Sequence, residues 1–339
     1  MQNSTPFPII DLHCDLLYYL QREASRTPFD SLSRASYPQM RQGHVAMQTL
    51  AIYAGSSKEE SLKTKKQVSL FLELLSKYEQ NFTLFDPKNS PLQEQVSCIA
   101  AIENAGGIIE EDLPIEQGLK ELDHLRKLLK KILYISLTWD GENRFGGGVG
   151  AKVGLKTDGK KVLDWMDKKQ IAIDLSHCSD FLAHDIFNHI DKQSLQIPVL
   201  ASHSNFRFIT PRERNLPDEF ALEIIRRKGL IGINFFKAFI GENKFQNITK
   251  HIEYGLKIGG VHSLCFGADF FCDHDSMGLE QKYGNEAGFF AEMGDSSCYP
   301  RTLELLQEKL SLPDAILEGI AYKNAKNFCE ELYKDTACS

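Results

Sequence analysis

The sequence predicts an α/β fold in which eight parallel strands, alternating with helices, close into a (β/α)8 TIM barrel. Continuous apolar runs recur between amphipathic segments, which is the pattern of strands covered on both faces by helices. Side chains able to bind metals follow several of these runs, and a barrel brings its strand ends to one rim, where active sites of this fold lie. An open doubly wound sheet is the alternative, but it normally places a ligand at one switch point.

The first strand is predicted at 8–10, and it leads into Asp-Leu-His-Cys-Asp at positions 11–15. Because side chains alternate along a strand, we expect His13 and Asp15 to point to one side and Cys14 to the other. An imidazole and a carboxylate that converge suit zinc, which takes nitrogen and oxygen ligands at about 2.0–2.2 Å. For two residues alone, a polar strand end without a metal would be the better interpretation, and the later strand ends decide between them.

The following segments continue the alternation of strands and helices. Residues 45–53 predict the second strand, and Ser57 with Glu60 predicts a capping box at the start of a helix with an apolar stripe. The lysine-rich segment 156–161 is interpreted as a solvated loop. Further strands are predicted, with helices between them, at 96–102, 133–137, 171–175, 197–201, 230–235 and 263–268.

Polar side chains of the kind that bind metals end five of the predicted strands. A single histidine at a strand end is more often structural, and an aspartate there can simply cap the next helix. Together, six such residues on one rim are improbable by accident, whereas the other seven histidines lack this context. The six residues are His13, Asp15, Glu103, His177, His203 and Asp269.

We expect two zinc ions at this rim, bridged by the carboxylate of Glu103. His13 and Asp15 would bind one ion, and His177 and His203 the other. Two cations about 3.5–4 Å apart can share a water, lower its pKa and polarise a substrate carbonyl. The predicted nucleophile is therefore a hydroxide that bridges the two metals.

Asp269 ends the last predicted strand and is left over from this ligand set. A carboxyl group beside the bridging water can transfer protons between that water and a leaving amine. The predicted reaction is thus the metal-assisted hydrolysis of an amide, with Asp269 as its catalytic acid and base.

Composition excludes several classes of partner. The 339 residues carry a formal charge of −7, which provides no basic field for nucleic acid. No stretch approaches the roughly 18 apolar residues of a membrane helix, and neither terminus predicts a secretion signal or a lipid anchor. The eight cysteines lack paired spacings, so we expect reduced thiols in a cytoplasmic protein. We expect one domain over 1–339.

Motifs along nearly the whole chain resemble those of the renal-type membrane dipeptidase family of metallopeptidases, which belongs with the amidohydrolase-like barrels. Their combination and order are highly specific, and they include Asp-Leu-His-Cys-Asp and Ala-Ser-His-Ser. The matching stretches are 11–15, 41–45, 101–103, 137–138, 173–177, 198–204, 214–218 and 267–269.

The resemblance implies a two-zinc dipeptidase, with the same five ligands that the strand ends suggest. It implies that Arg214 holds the C-terminal carboxylate of the substrate, and that Asp269 also contacts its amino group. Dipeptides with a D-residue at the C-terminal position and a homodimeric assembly are further implications. Trp139 stands where vertebrate members have a substrate-contacting histidine, as in bacterial-like members, and offers one donor and no basicity.

Two other functions remain open from the sequence. The same barrel and metals could act on another small amide, an N-acyl amino acid or a lactone, because fold does not fix function. The chain could also be a metal-binding scaffold that lost catalysis with the change at Trp139. The long loop 270–300 is predicted to serve as a lid, as a dimer contact, or as neither.

Overall fold

The computed structural model describes residues 7–55, 60–88, 94–241, 244–275 and 278–334. Nine strands form one parallel sheet, and the longest of them are almost entirely buried. The strands are β1 Ile9–Cys14, β2 Val45–Tyr53, β3 Phe82–Leu84, β4 Val96–Glu103, β5 Ile132–Ser136, β6 Ala172–Asp174, β7 Val199–Leu200, β8 Ile231–Ile233 and β9 Leu264–Phe266.

Eight of these strands close into the predicted barrel. Their order around the sheet is β7-β6-β5-β4-β2-β1-β9-β8, and a parallel bridge between Ala201 and Ile231 joins the two ends. The ninth strand, β3, lies outside this circuit and pairs with the start of β4. The (β/α)8 prediction is therefore confirmed, and the open doubly wound alternative is wrong.

Helices cover the outside of the barrel and bury one continuous apolar layer against it. Among the described residues no helix has both the length and the apolar character needed to cross a membrane. The α-helices are α1 Leu16–Arg22, α2 Tyr37–Gln42, α3 Glu60–Lys77, α4 Ile115–Leu129, α5 Thr157–Met166, α6 Asp180–Gln193, α7 Asp218–Arg226, α8 Lys237–Ile240, α9 Ile248–Lys257, α10 Leu279–Tyr283, α11 Tyr299–Leu310, α12 Asp314–Glu318 and α13 Asn324–Leu332.

Two local predictions need comment. The segment 156–161 is not a loop, because α5 begins at Thr157 and its buried Val162 and Leu163 anchor the lysine-rich first turn. Ser57 lies outside the described residues, so the predicted capping box stays a prediction, and the described part of α3 runs from Glu60.

A second apolar cluster fills the inside of the barrel. Its side chains come from the barrel strands or the residues next to them, such as Ile10 and Leu12 from β1. Helix α13 closes the end where the strands begin, and the hydroxyl of Tyr333, just beyond it, donates to the Ile132 carbonyl at 2.8 Å. With one end plugged, the strand carboxyl ends form the accessible rim.

Glycines allow close backbone contact near the barrel seam, the junction at which β7 and β8 close the circuit. A Cβ atom on Gly232 would lie 1.9 Å from the carbonyl oxygen of Ser202, and one on Gly267 would lie 1.8 Å from the same atom. This carbonyl belongs to the turn that leads into His203. The seam geometry therefore also fixes part of the rim.

Gly232→Ala should lower the free energy of unfolding by about 1–3 kcal/mol, because the new methyl group must displace backbone rather than a flexible side chain. Denaturant unfolding monitored by circular dichroism measures this change. Gly319→Ala is the matched control, since its Cβ would meet its nearest neighbour at 3.4 Å, within ordinary contact. Equal stability of the two variants would contradict the close approach.

Candidate active site

Glu103 lies at the centre of the predicted ligands. Its Oε2 is 3.4 Å from Nε2 of His13, and its Oε1 is 3.1 Å from Nε2 of His177 and 3.6 Å from Nε2 of His203. The Nε2 atoms of His177 and His203 are 3.0 Å apart. Each carboxylate oxygen thus faces a different part of the histidine cluster, as a bridging ligand requires.

Two aspartates complete the cluster beside His13. One ligand atom each from His13, Asp15 and Asp269 falls within 4.8 Å of the others, and Nε2 of His13 is 3.7 Å from Oδ1 of Asp269. Nε2 of His13 and Oδ1 of Asp15 are buried without a hydrogen-bond partner among the described residues. Buried polar atoms are normally satisfied, so these two atoms have the chemistry to bind a cation.

An irregularity in β1 brings His13 to the rim. The pairing of β1 with β2 shifts register between Asp11 and Cys14, and Leu12 belongs to the inner cluster while Cys14 packs in the outer layer. Asp11 accepts hydrogen bonds from the backbone N–H groups of His13 and Ala268, at 2.8 and 2.9 Å. The buried Asp11 carboxylate therefore holds both the His13 turn and the approach to Asp269.

Three residues at or beside the site hold left-handed backbone conformations without being glycine. Their φ angles are 74° at Asn104, 68° at His177 and 64° at Asp269. Such conformations cost energy in residues with side chains and persist where surrounding structure enforces them, often at functional sites. At His177 and Asp269 this strain falls on predicted site residues.

The hydrogen bonds around His13 and His203 fix which ring nitrogen carries the proton. The Tyr134 hydroxyl donates to the Leu12 carbonyl at 3.1 Å, so at 2.6 Å its oxygen accepts from Nδ1–H of His13. Ser202 Oγ donates to Asp174 at 2.5 Å, so at 2.7 Å it accepts from Nδ1–H of His203. In the neutral form of both rings the proton therefore lies on Nδ1 and the lone pair on Nε2, as a metal ligand needs.

His177 is oriented by a carboxylate that the sequence analysis did not include. Its Nδ1 lies 2.8 Å from Oδ1 of Asp140, and Oδ2 of Asp140 accepts from Nζ of Lys282 at 2.8 Å. Because an ionised carboxylate only accepts, Nδ1 of His177 carries a proton, and in the neutral ring the lone pair lies on Nε2. Two lone pairs 3.0 Å apart, on His177 and His203, repel each other unless a cation or a proton lies between them.

The pKa values of the buried carboxylates and histidines show that this cluster favours positive charge. Burial opposes ionisation of Glu103, but its histidine neighbours, His13 foremost, hold its pKa well below the usual range. Burial likewise disfavours charge on His13, yet Glu103 outweighs it and raises the pKa of His13 to about 10. Burial raises the pKa of Asp15 well above its usual value, and raises that of Asp269 to about 6. A bound cation would supply the charge that protons otherwise provide.

A cavity of about 460 Å³ opens onto the cluster. Asp15, Glu103, His177 and Asp269 lie at its floor, while aromatic rings and residues of the 270–300 loop form its walls. This volume is within the range of small-molecule sites. The wall residues are Tyr18, Arg22, Tyr53, Lys63, Trp139, Asp140, Phe236, Phe239, Phe271, Asp275, Gly278, Leu279, Lys282 and Tyr283.

Trp139 lies on this wall. Its ring packs edge-on against Tyr53 with centroids 5.4 Å apart, and its centroid is 6.0 Å from that of His177. The glycine-rich loop folds back here, since a Cβ on Gly148 would lie 1.9 Å from the Trp139 carbonyl oxygen. The loop therefore presents Trp139 and Asp140 together.

Arg214 lies behind the wall rather than on it. Its Nη1 donates to Ser204 Oγ at 2.8 Å and its Nη2 to the His203 carbonyl at 3.0 Å. Its guanidinium carbon is 5.5 Å from the ring centroid of the cavity-lining Phe239. Its buried Nε has no hydrogen-bond partner among the described residues.

Sequence reasoning missed the residues that hold the ligands: Asp11, Tyr134, Asp140, Asp174, Ser202 and Lys282. A usable signal exists for Asp11 and Asp174, because each accepts the N–H group two residues onward, at 2.8 and 3.0 Å. Aspartate at a strand end, two residues before the turn, is the local pattern for such bonds. No local sequence pattern predicts the role of Lys282, because it lies 142 residues along the chain from its partner Asp140.

A second large groove, of about 890 Å³, lies between α3, β3 and the end of α4. Its lining includes Leu72, Leu75 and Leu128 but none of the predicted ligands. The chemistry therefore belongs to the smaller cavity at the rim.

The match to a known family covers almost the whole chain. Residues 3–334 match the family model described as membrane dipeptidase, peptidase family M19. An uncharacterized dipeptidase of Schizosaccharomyces pombe is 25% identical over 299 residues, which are 77% of this chain and 68% of that protein.

Solved structures show the same fold. Dipeptidase AC, a metallopeptidase of family M19, superposes with a TM-score of 0.80 at 19% identity, over 96% of this chain and 98% of that one. A metallopeptidase from Rhodobacter sphaeroides, liganded with a phosphinate mimic of the dipeptide L-Ala-D-Ala, gives a TM-score of 0.78 at 18% identity, over 97% and 100%. The family match and the shared fold lead to one conclusion: the chain belongs to the membrane dipeptidase family, peptidase family M19, whose members are metallodipeptidases.

Proposed function

We propose that the protein hydrolyses the peptide bond of dipeptides at the rim cluster, using two zinc ions bridged by Glu103. The observation that carries this proposal is the position of that carboxylate, with one oxygen 3.4 Å from His13 and the other 3.1 Å from His177. The unpaired lone pairs of the histidines and of Asp15 are the donors that zinc prefers. The ligands in this proposal are His13, Asp15, Glu103, His177 and His203.

The side chains divide the chemical work. Two zinc ions at these ligands would lower the pKa of a shared water and polarise the scissile carbonyl. Oδ1 of Asp269, 3.7 Å from His13, accepts the proton that the attacking water releases and passes it to the departing amine nitrogen as the C–N bond breaks. The amide of Asn234 donates to Oδ2 of Asp269 at 2.9 Å, which keeps Oδ1 toward the centre.

Substrate binding is assigned to Arg214, Asp269 and Trp139. In this proposal the Nε–H of Arg214, which has no partner among the described residues, is the donor to the C-terminal carboxylate, and Asp269 is the acceptor for the substrate's amino group. Trp139 supplies an apolar surface on the wall. The bound L-Ala-D-Ala mimic in the Rhodobacter sphaeroides relative supports acceptance of a D-residue at the C-terminal position.

Other parts of the proposal rest on the family resemblance and composition. These are a homodimer, a single domain over 1–339, and a cytoplasmic location with no membrane or nucleic-acid partner. The alternative function keeps the binuclear site but changes the substrate to another amide, an N-acyl amino acid or a lactone. Arg214 is buried and does not line the cavity, which favours testing this alternative directly.

The purified protein should contain close to two zinc ions per chain, and a chelator should abolish dipeptide cleavage. Glu103→Gln should remove most of the metal and lower kcat/KM by more than about 100-fold, because outer-shell changes alone cost about 10–100-fold. Inductively coupled plasma metal counts and L-Ala-D-Ala turnover on the same preparation measure both effects.

Glu292→Gln is the control for these measurements, since Glu292 is exposed and remote from the ligands in sequence. Its metal content and turnover should equal those of the wild type. Full activity in metal-free protein would refute the proposed mechanism.

Arg214→Lys and Arg214→Ala should lower kcat/KM for L-Ala-D-Ala, the alanine variant by about 100-fold, because a buried charge pair with the substrate carboxylate is lost. Turnover of the same dipeptide as its C-terminal amide should change much less, since that substrate carries no carboxylate. Steady-state kinetics on the two substrates, at equal metal content, measure the difference.

An equal loss on acid and amide would show that Arg214 supports the His203 turn rather than the substrate. Unchanged activity on the best substrate of both variants would favour the alternative function, in which no free carboxylate is bound.

A further inference from the structure

Lys282 connects the wall of the cavity to one of the proposed metal ligands. It lies on α10, a helix of five residues with no buried side chain, between Gly278 and Gly284, whose φ angles are 90° and 57°. Its Nζ reaches Oδ2 of Asp140 at 2.8 Å, and Oδ1 of Asp140 meets Nδ1 of His177 at 2.8 Å. This series of contacts crosses the cavity mouth from α10 to the rim.

The other two imidazoles are held from within the barrel. Tyr134, which holds His13, and Ser202, which holds His203, are both fully buried. Neither partner is among the described residues that line the rim cavity. Their positions therefore follow from the barrel itself and do not depend on any surface segment.

His177 differs because Asp140, which orients its ring, is itself bound by the surface residue Lys282. The side chain of Asp140 is 25% exposed and that of Lys282 is 52% exposed. Without Lys282, Asp140 would keep its contact to His177 through one oxygen only, and a carboxylate anchored at one point can rotate. The left-handed backbone at His177 adds to the need for an outer support.

We propose that Lys282 is a positioning residue, which fixes Asp140 and through it the ring of His177. The contact from α10 to Asp140 then strengthens metal retention at His177. This inference rests on the proposed metal centre and adds a residue from the 270–300 loop to it. Helix α10 thereby acts as part of the site and not only as its wall. Lys282 itself touches neither metal nor reacting atoms in this role.

Zinc release from the loaded protein into excess chelator tests this role without using activity. Lys282→Met, which keeps the apolar stem and removes the charge, should speed release of one of the two ions by about 10-fold, the lower end of outer-shell effects. Asp140→Ala should speed it at least as much. Lys282→Arg should restore slow release, because it retains the charged hydrogen bond.

The double variant tests whether the two residues act in series. Adding Lys282→Met to Asp140→Ala should produce no further acceleration, since Lys282 acts only through Asp140. Lys77→Ala is the control, because Lys77 forms a comparable bond to Glu73 at 2.9 Å on the exposed side of α3. Its release rate should equal that of the wild type.

Different failures have different meanings. If Lys282→Met releases zinc at the wild-type rate while KM for L-Ala-D-Ala rises, Lys282 contacts substrate directly and the positioning role is wrong, whereas the dipeptidase proposal stands. If accelerations in the double variant are additive, the series Lys282–Asp140–His177 is also wrong. If the wild-type protein binds no zinc, both this inference and the proposed function fail.

Discussion

One buried carboxylate organises the rim. Glu103 is 3% exposed and lies within 3.6 Å of Nε2 of three imidazoles. A buried charge without compensation is costly. In all three rings Nδ1 already makes another hydrogen bond. The Nε2 atoms can satisfy the carboxylate only with a positive charge between them. In the proposed site, two bound cations would supply that charge.

The barrel holds this arrangement through further buried acceptors beneath the rim. Asp11 binds the turn that carries His13, and Asp174 accepts the N–H groups of Ser176 and Ser202 at 3.0 and 2.8 Å. These contacts lock strand ends that would otherwise relax from left-handed backbone at His177 and Asp269. Packing energy of the fold thus maintains a strained site, while α10 supplies the outermost contact.

The fold was predictable because apolar runs and their spacing are local properties of the chain, and six ligand-type residues at strand ends pointed to one rim. The orientation of His13 was predicted from regular alternation, although the structure reaches it through an irregular β1 in which Leu12 also faces inward. The start of the helix at 157–166 was predicted as a loop because its lysines give this segment the composition of a solvated loop. Lys282 and Asp140 were missed because their contact depends on how a long loop returns to the barrel, which no local pattern encodes.

The most direct test of the account is anomalous diffraction at the zinc edge from a crystal grown with zinc. The account predicts two peaks about 3.5–4 Å apart, one on either side of the Glu103 carboxylate, with His13 and Asp15 at one and His177 and His203 at the other. A map with no peak at the rim, or with peaks that Glu103 does not join, would contradict it.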